Sequence, residues 1–231
     1  MKPYKTIGIL GGMGPEATAE LYLRIIRIFQ SKYGAKYDDD FPEIVIINLP
    51  IPDVVEDLSE EKAVREMLVS GVRKLENAGT DFIVIPCNTV NFFFQSIQEA
   101  VSIPVLSILT ETADEIRRMK VKTVGLLGTE MTMSKNIYNS VLQDIPLIAP
   151  SIEEQKGITK IIINVLAGKK NALDRKFLLG LIDKLKESGA EKVILGCTEL
   201  PLLLKRSNDL IDTIDVLAQA TVREAVRIGG K

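Results

Sequence analysis

The chain contains no histidine, no tryptophan and only two cysteines, Cys87 and Cys197. Without histidine there is no Ser-His-Asp or Cys-His catalytic arrangement, so proton chemistry near neutral pH falls to other side chains. Two cysteines 110 positions apart, with no CxxC, do not furnish a conventional zinc or iron–sulfur ligand set, and no metal site is expected. Charge of one sign is lacking too. The 29 lysines and arginines face 31 aspartates and glutamates, and a net charge of −2 creates no field for nucleic acid or an anionic membrane. No apolar run approaches the roughly 18 to 20 residues that span a bilayer, and residues 1–6 hold no signal-peptide core. The expectation is a cytoplasmic protein whose thiols stay reduced and whose partner is a small molecule. What is present is apolar sequence, 46% of 231 residues, enough to bury a core in one large domain or two small ones.

An internal repeat chooses between these. Lys5-Thr6-Ile7-Gly8-Ile9-Leu10-Gly11 returns as Lys122-Thr123-Val124-Gly125-Leu126-Leu127-Gly128, and the stretch 74–89 returns without a gap as 184–199. Cys87 and Cys197 occupy the same place in each copy. The offsets of 117 and 110 differ by a small deletion, as a duplication with a trimmed connection would leave.

Each copy alternates short β-branched runs with amphipathic stretches, the pattern of a mainly parallel sheet covered by helices. The first predicts strands at 6–10, 43–49, 82–86 and 105–108, and helices at 15–31, 60–77 and 91–100. The second predicts strands at 123–127, 147–148, 192–195 and 210–212, helices at 134–143, 153–167 and 174–188, and a final helix at 216–228 that crosses back to the first domain. The expected fold is α/β with two pseudo-symmetric domains. Residues 1–114 plus 213–231 carry Cys87, and residues 115–212 carry Cys197.

Both cysteines directly follow an apolar strand, and open parallel sheets bind ligands beyond the carboxyl ends of their strands. Related domains facing across a pseudo-twofold axis would bring equivalent thiols to opposite sides of one ligand in the cleft between them. Racemisation needs that geometry: one thiolate takes an α-proton and one thiol returns a proton to the other face. The bland alternatives are two small buried hydrophobes or a disulfide, which a reducing compartment disfavours. The loop Gly11-Gly12-Met13-Gly14 lacks the full GxGxxG spacing of a dinucleotide site and reads as a tight turn.

With Ile7-Gly8-Ile9-Leu10-Gly11-Gly12-Met13-Gly14-Pro15 and Ala17-Thr18, Ile51-Pro52-Asp53, Pro86-Cys87-Asn88-Thr89, the segment from Leu126 to Thr132, and Gly196-Cys197-Thr198-Glu199, the chain resembles the aspartate/glutamate racemase superfamily, in particular its aspartate-racemase branch. The resemblance implies two flavodoxin-like domains, each with a four-stranded sheet, catalytic Cys87 and Cys197 in the interdomain cleft, no cofactor, and a homodimer. It also implies that Met13, Asn88, Thr89, Thr129, Thr132 and Thr198 line an amino-acid substrate, with Glu199 standing where glutamate racemases have histidine.

Departures bear on the substrate. Acidic-substrate members carry arginine directly after the IPD, where this chain has Val54, and a lysine in the helix where it has Leu166. Lys160, Lys169 and Lys170 are the candidate replacements, though each also reads as part of a solvated helix face. Asn91 stands two residues after Thr89, where histidine is common, and Phe92-Phe93-Phe94 reads as helix packing or as an apolar pocket. A buried carboxylate without a cationic partner is costly. Aspartate is therefore the nominal substrate beside a broader or non-acidic alternative. A cofactor-independent decarboxylase and a non-catalytic amino-acid-binding protein are the competing functions.

Overall fold

The computed structural model describes residues 4–56 and 59–227. Each half builds a four-stranded, all-parallel sheet. The first contains β1 (Ile7–Gly11), β2 (Ile44–Asn48), β3 (Phe82–Val84) and β4 (Val105–Leu106) in the order β2-β1-β3-β4. The second contains β5 (Val124–Gly128), β6 (Leu147–Ile148), β7 (Lys192–Gly196) and β8 (Leu210–Asp212) in the order β6-β5-β7-β8. The two orders are the same order, one copy displaced along the chain.

Both faces of each sheet are covered, which is why the central strands are almost continuously apolar. Alternation still sorts their side chains. In β1, Ile7 and Ile9 point to one core while Leu10 points to another; in β5, Val124 and Leu126 oppose Leu127 in the same way. The outer face of the first sheet is covered by α2 (Glu61–Asn77) and α3 (Phe94–Glu99), and that of the second by α6 (Ile152–Leu166) and α7 (Ala172–Glu187). The inner faces meet a single core. It joins Ile7, Phe82 and Val84 of the first sheet to Val124, Leu126 and Ile194 of the second through α1 (Pro15–Tyr33), α4 (Ile108–Arg118) and α8 (Thr213–Ala225). Each fully buried aliphatic side chain contributes about 1.5–3 kcal/mol.

The eight strands fall where sequence pattern puts them, within a residue or two at their ends. Two helical expectations are corrected. Residues 134–143 do not form a helix. The helix there is α5 (Glu130–Ser134), opened by Thr129, whose Oγ1 accepts from the Thr132 amide, and the chain then turns through Asn136 at φ 50°. Conversely α4 lies in a stretch assigned no helix. Its buried residues Ile108, Leu109, Thr112, Ala113 and Ile116 share one face, and Ser107 Oγ caps the Thr110 amide. The last helix opens at Thr213, capped by Asp212, and ends at Ala225; the expected end at residue 228 lies outside the described residues. Because α4 and α8 follow β4 and β8, they are counterparts, and they pack against each other. No described helix is long and apolar enough to cross a membrane.

Candidate active site

The carboxyl ends of five strands supply one cavity of about 200 Å³. Gly12 to Pro15 follow β1, residues 51–55 follow β2, Cys87 to Thr89 follow β3, Thr129 follows β5, and Cys197 to Glu199 follow β7. Leu166, at the end of α6, completes the wall. The volume is below the ~300–1,000 Å³ of sites for drug-sized molecules and suits a smaller one.

Local sequence explains the loop after β1. Thr18, one turn into α1, accepts a hydrogen bond from the Gly12 amide (3.0 Å) and donates to the Gly14 carbonyl (2.9 Å), folding the loop back on its own helix. A Cβ on Gly11 would sit 2.2 Å from the Thr18 side chain, so glycine is required there by close approach. A Cβ on Gly14 would lie 2.8 Å from both Glu199 Oε1 and Leu166 Cδ2. The loop therefore reaches the second half of the chain at Gly14, where a larger residue would displace the ends of the Glu199 and Leu166 side chains.

Both thiols are free and buried, with Cys87 6% and Cys197 5% exposed. Burial pushes the Cys87 thiol up to about 12, against the opposing pull of the Val90 and Thr89 amides and with a further push from the Glu199 charge. Cys197 is raised as well, again chiefly by burial and then by Glu199, to whose Oε2 its Sγ donates at 3.0 Å. Burial also raises the Glu199 carboxyl, with bonds from Cys197 and Thr198 acting against it. Glu199 Oε1 is buried and has no hydrogen-bond partner among the described residues. The copies thus differ in charge: where Cys197 faces a carboxylate, Cys87 faces the hydroxyl of Thr89.

Of the residues singled out in sequence, Cys87, Cys197, Met13, Asn88, Thr89, Thr129, Thr198 and Glu199 line this cavity. Thr132 does not. It stands behind, accepting a hydrogen bond from Thr129 Oγ1 (2.9 Å) and lying 3.3 Å from Thr89 Oγ1. Val54 and Leu166 both line the wall, whereas Lys160, Lys169 and Lys170 do not, and Lys170 is ion-paired with Glu16. Asn91 lies beneath Cys87, donating to its carbonyl (2.9 Å) and accepting from Ser107 Oγ (3.0 Å). Phe93 is packed in the core beside Cys87, Phe92 is on the surface, and none of the three phenylalanines reaches the cavity.

Two supporting residues carry no motif that sequence reading could have found. Tyr138 donates to Asn88 Oδ1 (2.6 Å), and Asn88 Nδ2 donates to Thr213 Oγ1 (3.1 Å), which itself donates to the Leu195 carbonyl (2.9 Å). With the Thr89–Thr129 hydroxyl pair at 3.0 Å, this polar network joins the two halves immediately behind the thiols. A fully buried tyrosine needs a partner for its hydroxyl, and Asn88 is that partner.

Comparison with known proteins agrees with this architecture. A broad specificity amino-acid racemase of Bacillus subtilis is 32% identical over 220 residues, covering 94% of this chain and 96% of its own. The crystal structure of an aspartate racemase homologue from Pyrococcus horikoshii superposes with a TM-score of 0.80 at 32% identity, over 95% of this chain and 98% of that one. The aspartate racemase of Picrophilus torridus gives 0.82 at 27% identity, over 95% and 93%. The family model of Asp/Glu/Hydantoin racemases matches residues 10–221. Matched over most of its length by that model and over nearly all of it by a racemase, the chain belongs to the Asp/Glu/Hydantoin racemase family.

Proposed function

We propose that this racemase interconverts the enantiomers of an amino acid without a cofactor, using Cys87 and Cys197 as alternating base and acid. The observation that carries this reading is the placement of two buried thiols, each following the same strand of its repeat, on one small cavity. A thiolate at one cysteine removes the Cα proton and becomes a thiol. The thiol at the other protonates the opposite face and becomes a thiolate, so the pair ends with the same charge and the roles exchanged. The carbanionic intermediate carries its charge into the substrate carboxylate, which donors held in place without reorganisation stabilise most effectively. The second amide proton of Asn88 and the Thr89, Thr129 and Thr198 hydroxyls are the groups assigned to this work. The Thr129 and Thr198 hydroxyls, which otherwise donate to Thr132 and Glu199, rotate to the substrate carboxylate, with the Thr132 amide holding Thr129 Oγ1 from behind.

Burial raises both thiols above the ordinary thiol range and so opposes the thiolate. A bound amino acid brings an ammonium group, and a nearby cation favours thiolate. The Glu199 carboxylate, as acceptor of the Cys197 proton, favours Cys197 as the thiol and leaves Cys87 as the first base. Aspartate remains the nominal substrate by resemblance, with a broader or non-acidic substrate the alternative that the wall residues favour. The cytoplasm as location and a homodimer as assembly belong to the same proposal.

The test is incubation of the protein with single enantiomers in D₂O without pyridoxal phosphate, following α-deuterium and enantiomer formation. Wild-type protein is expected to exchange and racemise, with kcat/KM rising with pH between about 6 and 8.5 because the competent thiolate is the minor form there. Cys87→Ser and Cys197→Ser are each expected to lose racemisation by at least ~10³-fold, a scale that general acid–base groups reach. Normal racemisation by either variant contradicts the two-thiol mechanism, and absence of exchange with every amino acid leaves a binding protein.

A further inference from the structure

Every charged side chain on the cavity wall among the described residues is a carboxylate, and there are two, Glu199 and Asp53. Glu199 is buried beside Cys197 with Oε1 unpartnered. The exposed Asp53 has its two oxygens engaged by the backbone amides of Val55 (3.1 Å) and Glu56 (3.0 Å), which closes a turn of the loop after β2. Besides the polar Asn88, Thr89, Thr129 and Thr198, the wall has an apolar group. Ile51, Val54 and Val55 come from that loop, Met13 from the loop after β1, and Leu166 from the end of α6. Val54 is 7% exposed and packs into the core beside Cys87, so it presents a fixed surface. Leu166 is 44% exposed and stands next to Gly14, close to the Glu199 carboxylate.

A second carboxylate in this space would meet no cation and would share about 200 Å³ with Glu199. Desolvation and like-charge repulsion both oppose it. A cationic side chain fares little better: Asp53 is exposed, so its charge is screened by solvent, and Glu199 lies beside the reacting thiol, where an α-ammonium rather than a side-chain terminus would sit. We infer, on the racemase reading above, that the preferred substrate carries a short, neutral aliphatic side chain received by Val54 and Leu166. Methylenes in an apolar subsite are discriminated by about 10–200-fold each, enough for such a wall to set preference.

The experiment measures kcat/KM for α-deuterium exchange over L-alanine, L-2-aminobutyrate, L-valine, L-leucine, L-aspartate, L-glutamate, L-lysine and L-arginine, with wild-type and Leu166→Ala protein. The best aliphatic substrate is expected to exceed every charged one by at least about tenfold. Leu166→Ala is expected to lower kcat/KM for valine and leucine by at least about tenfold more than for aspartate; a purely structural effect would lower all alike. A charged amino acid as the best wild-type substrate overturns the inference, and so does an equal loss across the panel in the variant. If nothing exchanges, the racemase reading fails, and calorimetric titration of wild-type protein with L-valine and L-aspartate decides the side-chain question separately. Tighter valine binding upholds it, whereas tighter aspartate binding, or no binding of either, overturns it.

Discussion

At the scale of single residues, Glu199 concentrates the conflict between stability and chemistry. It is a carboxylate 5% exposed, hydrogen-bonded to Cys197 and Thr198 but with no cation against it among the described residues. Its pKa is raised above the ordinary 4.5, chiefly by burial. The folded state therefore holds the proton more tightly than the unfolded chain does. The stability this contributes is fully present below about pH 4.5 and is lost as pH rises through the folded value. Glu199→Gln removes that loss. At pH 8 the variant is expected to melt about 2–4 °C higher, the shift that ~1 kcal/mol produces in a domain of this size, with the difference vanishing near pH 4. Racemisation is expected to fall at least about tenfold, because the charge that holds the proton on Cys197 has gone even though the amide oxygen still accepts from Sγ. Melting curves at the two pH values check the first claim; a variant less stable than wild type at pH 8 would show that the carboxylate is better compensated than its surroundings indicate.

At the scale of elements, the counterpart helices α4 and α8 open with different caps, Ser107 and Asp212. Asp212 does two things. One oxygen accepts from the Ile214 and Asp215 amides, and the other lies 2.5 Å from Arg24 Nη1. Arg24 is 6% exposed on α1 and is also held by Glu20 at 2.8 Å, so this ion pair clamps α8 to α1 inside the protein. Asp212→Asn keeps a good cap but removes the charge from beside a buried guanidinium; a loss of about 2 kcal/mol is expected, below the 3–5 of a fully broken buried pair because Glu20 remains. Asp212→Ala removes the cap as well and is expected to cost about 1 kcal/mol more. Urea denaturation of both variants separates the two contributions, and equal losses would mean that the cap contributes nothing. The role of Asp212 was not legible in sequence. Asp212 closes the predicted strand 210–212, with the helix expected only from residue 216, and its partner Arg24 lies 188 positions away.

At the scale of the whole molecule, the inner faces of both sheets drain into one core. Ile7 and Phe82 of one half, Val124 and Ile194 of the other, and Leu21, Ile108 and Ile214 of α1, α4 and α8 belong to a single cluster. Neither sheet can lose this layer without exposing the apolar inner face of the other. One cooperative unfolding transition is expected, with calorimetric and van't Hoff enthalpies agreeing and with far-UV dichroism and tyrosine fluorescence sharing a midpoint. Two resolved transitions would mean that the outer cores beneath α2 and α6 hold each sheet together on their own. The same shared core keeps the strand ends that carry Cys87 and Cys197 in a constant relation, which a two-sided proton transfer demands.

The sequence by itself determined the repeat, the eight strands and the equivalence of the two cysteines, because apolar periodicity and internal similarity are written locally along the chain. It also contained the apolar character of Val54 and Leu166, which the tertiary structure then placed on the wall beside Glu199. Only that structure decided that Thr132 stands behind Thr129, that Tyr138 and Thr213 hold Asn88, and that Gly14 slots between Glu199 and Leu166. The physical reason is distance along the chain. A hydrogen bond between residues 50 or 125 positions apart leaves no periodic trace in either segment, and it forms only when two sheets close on a common core.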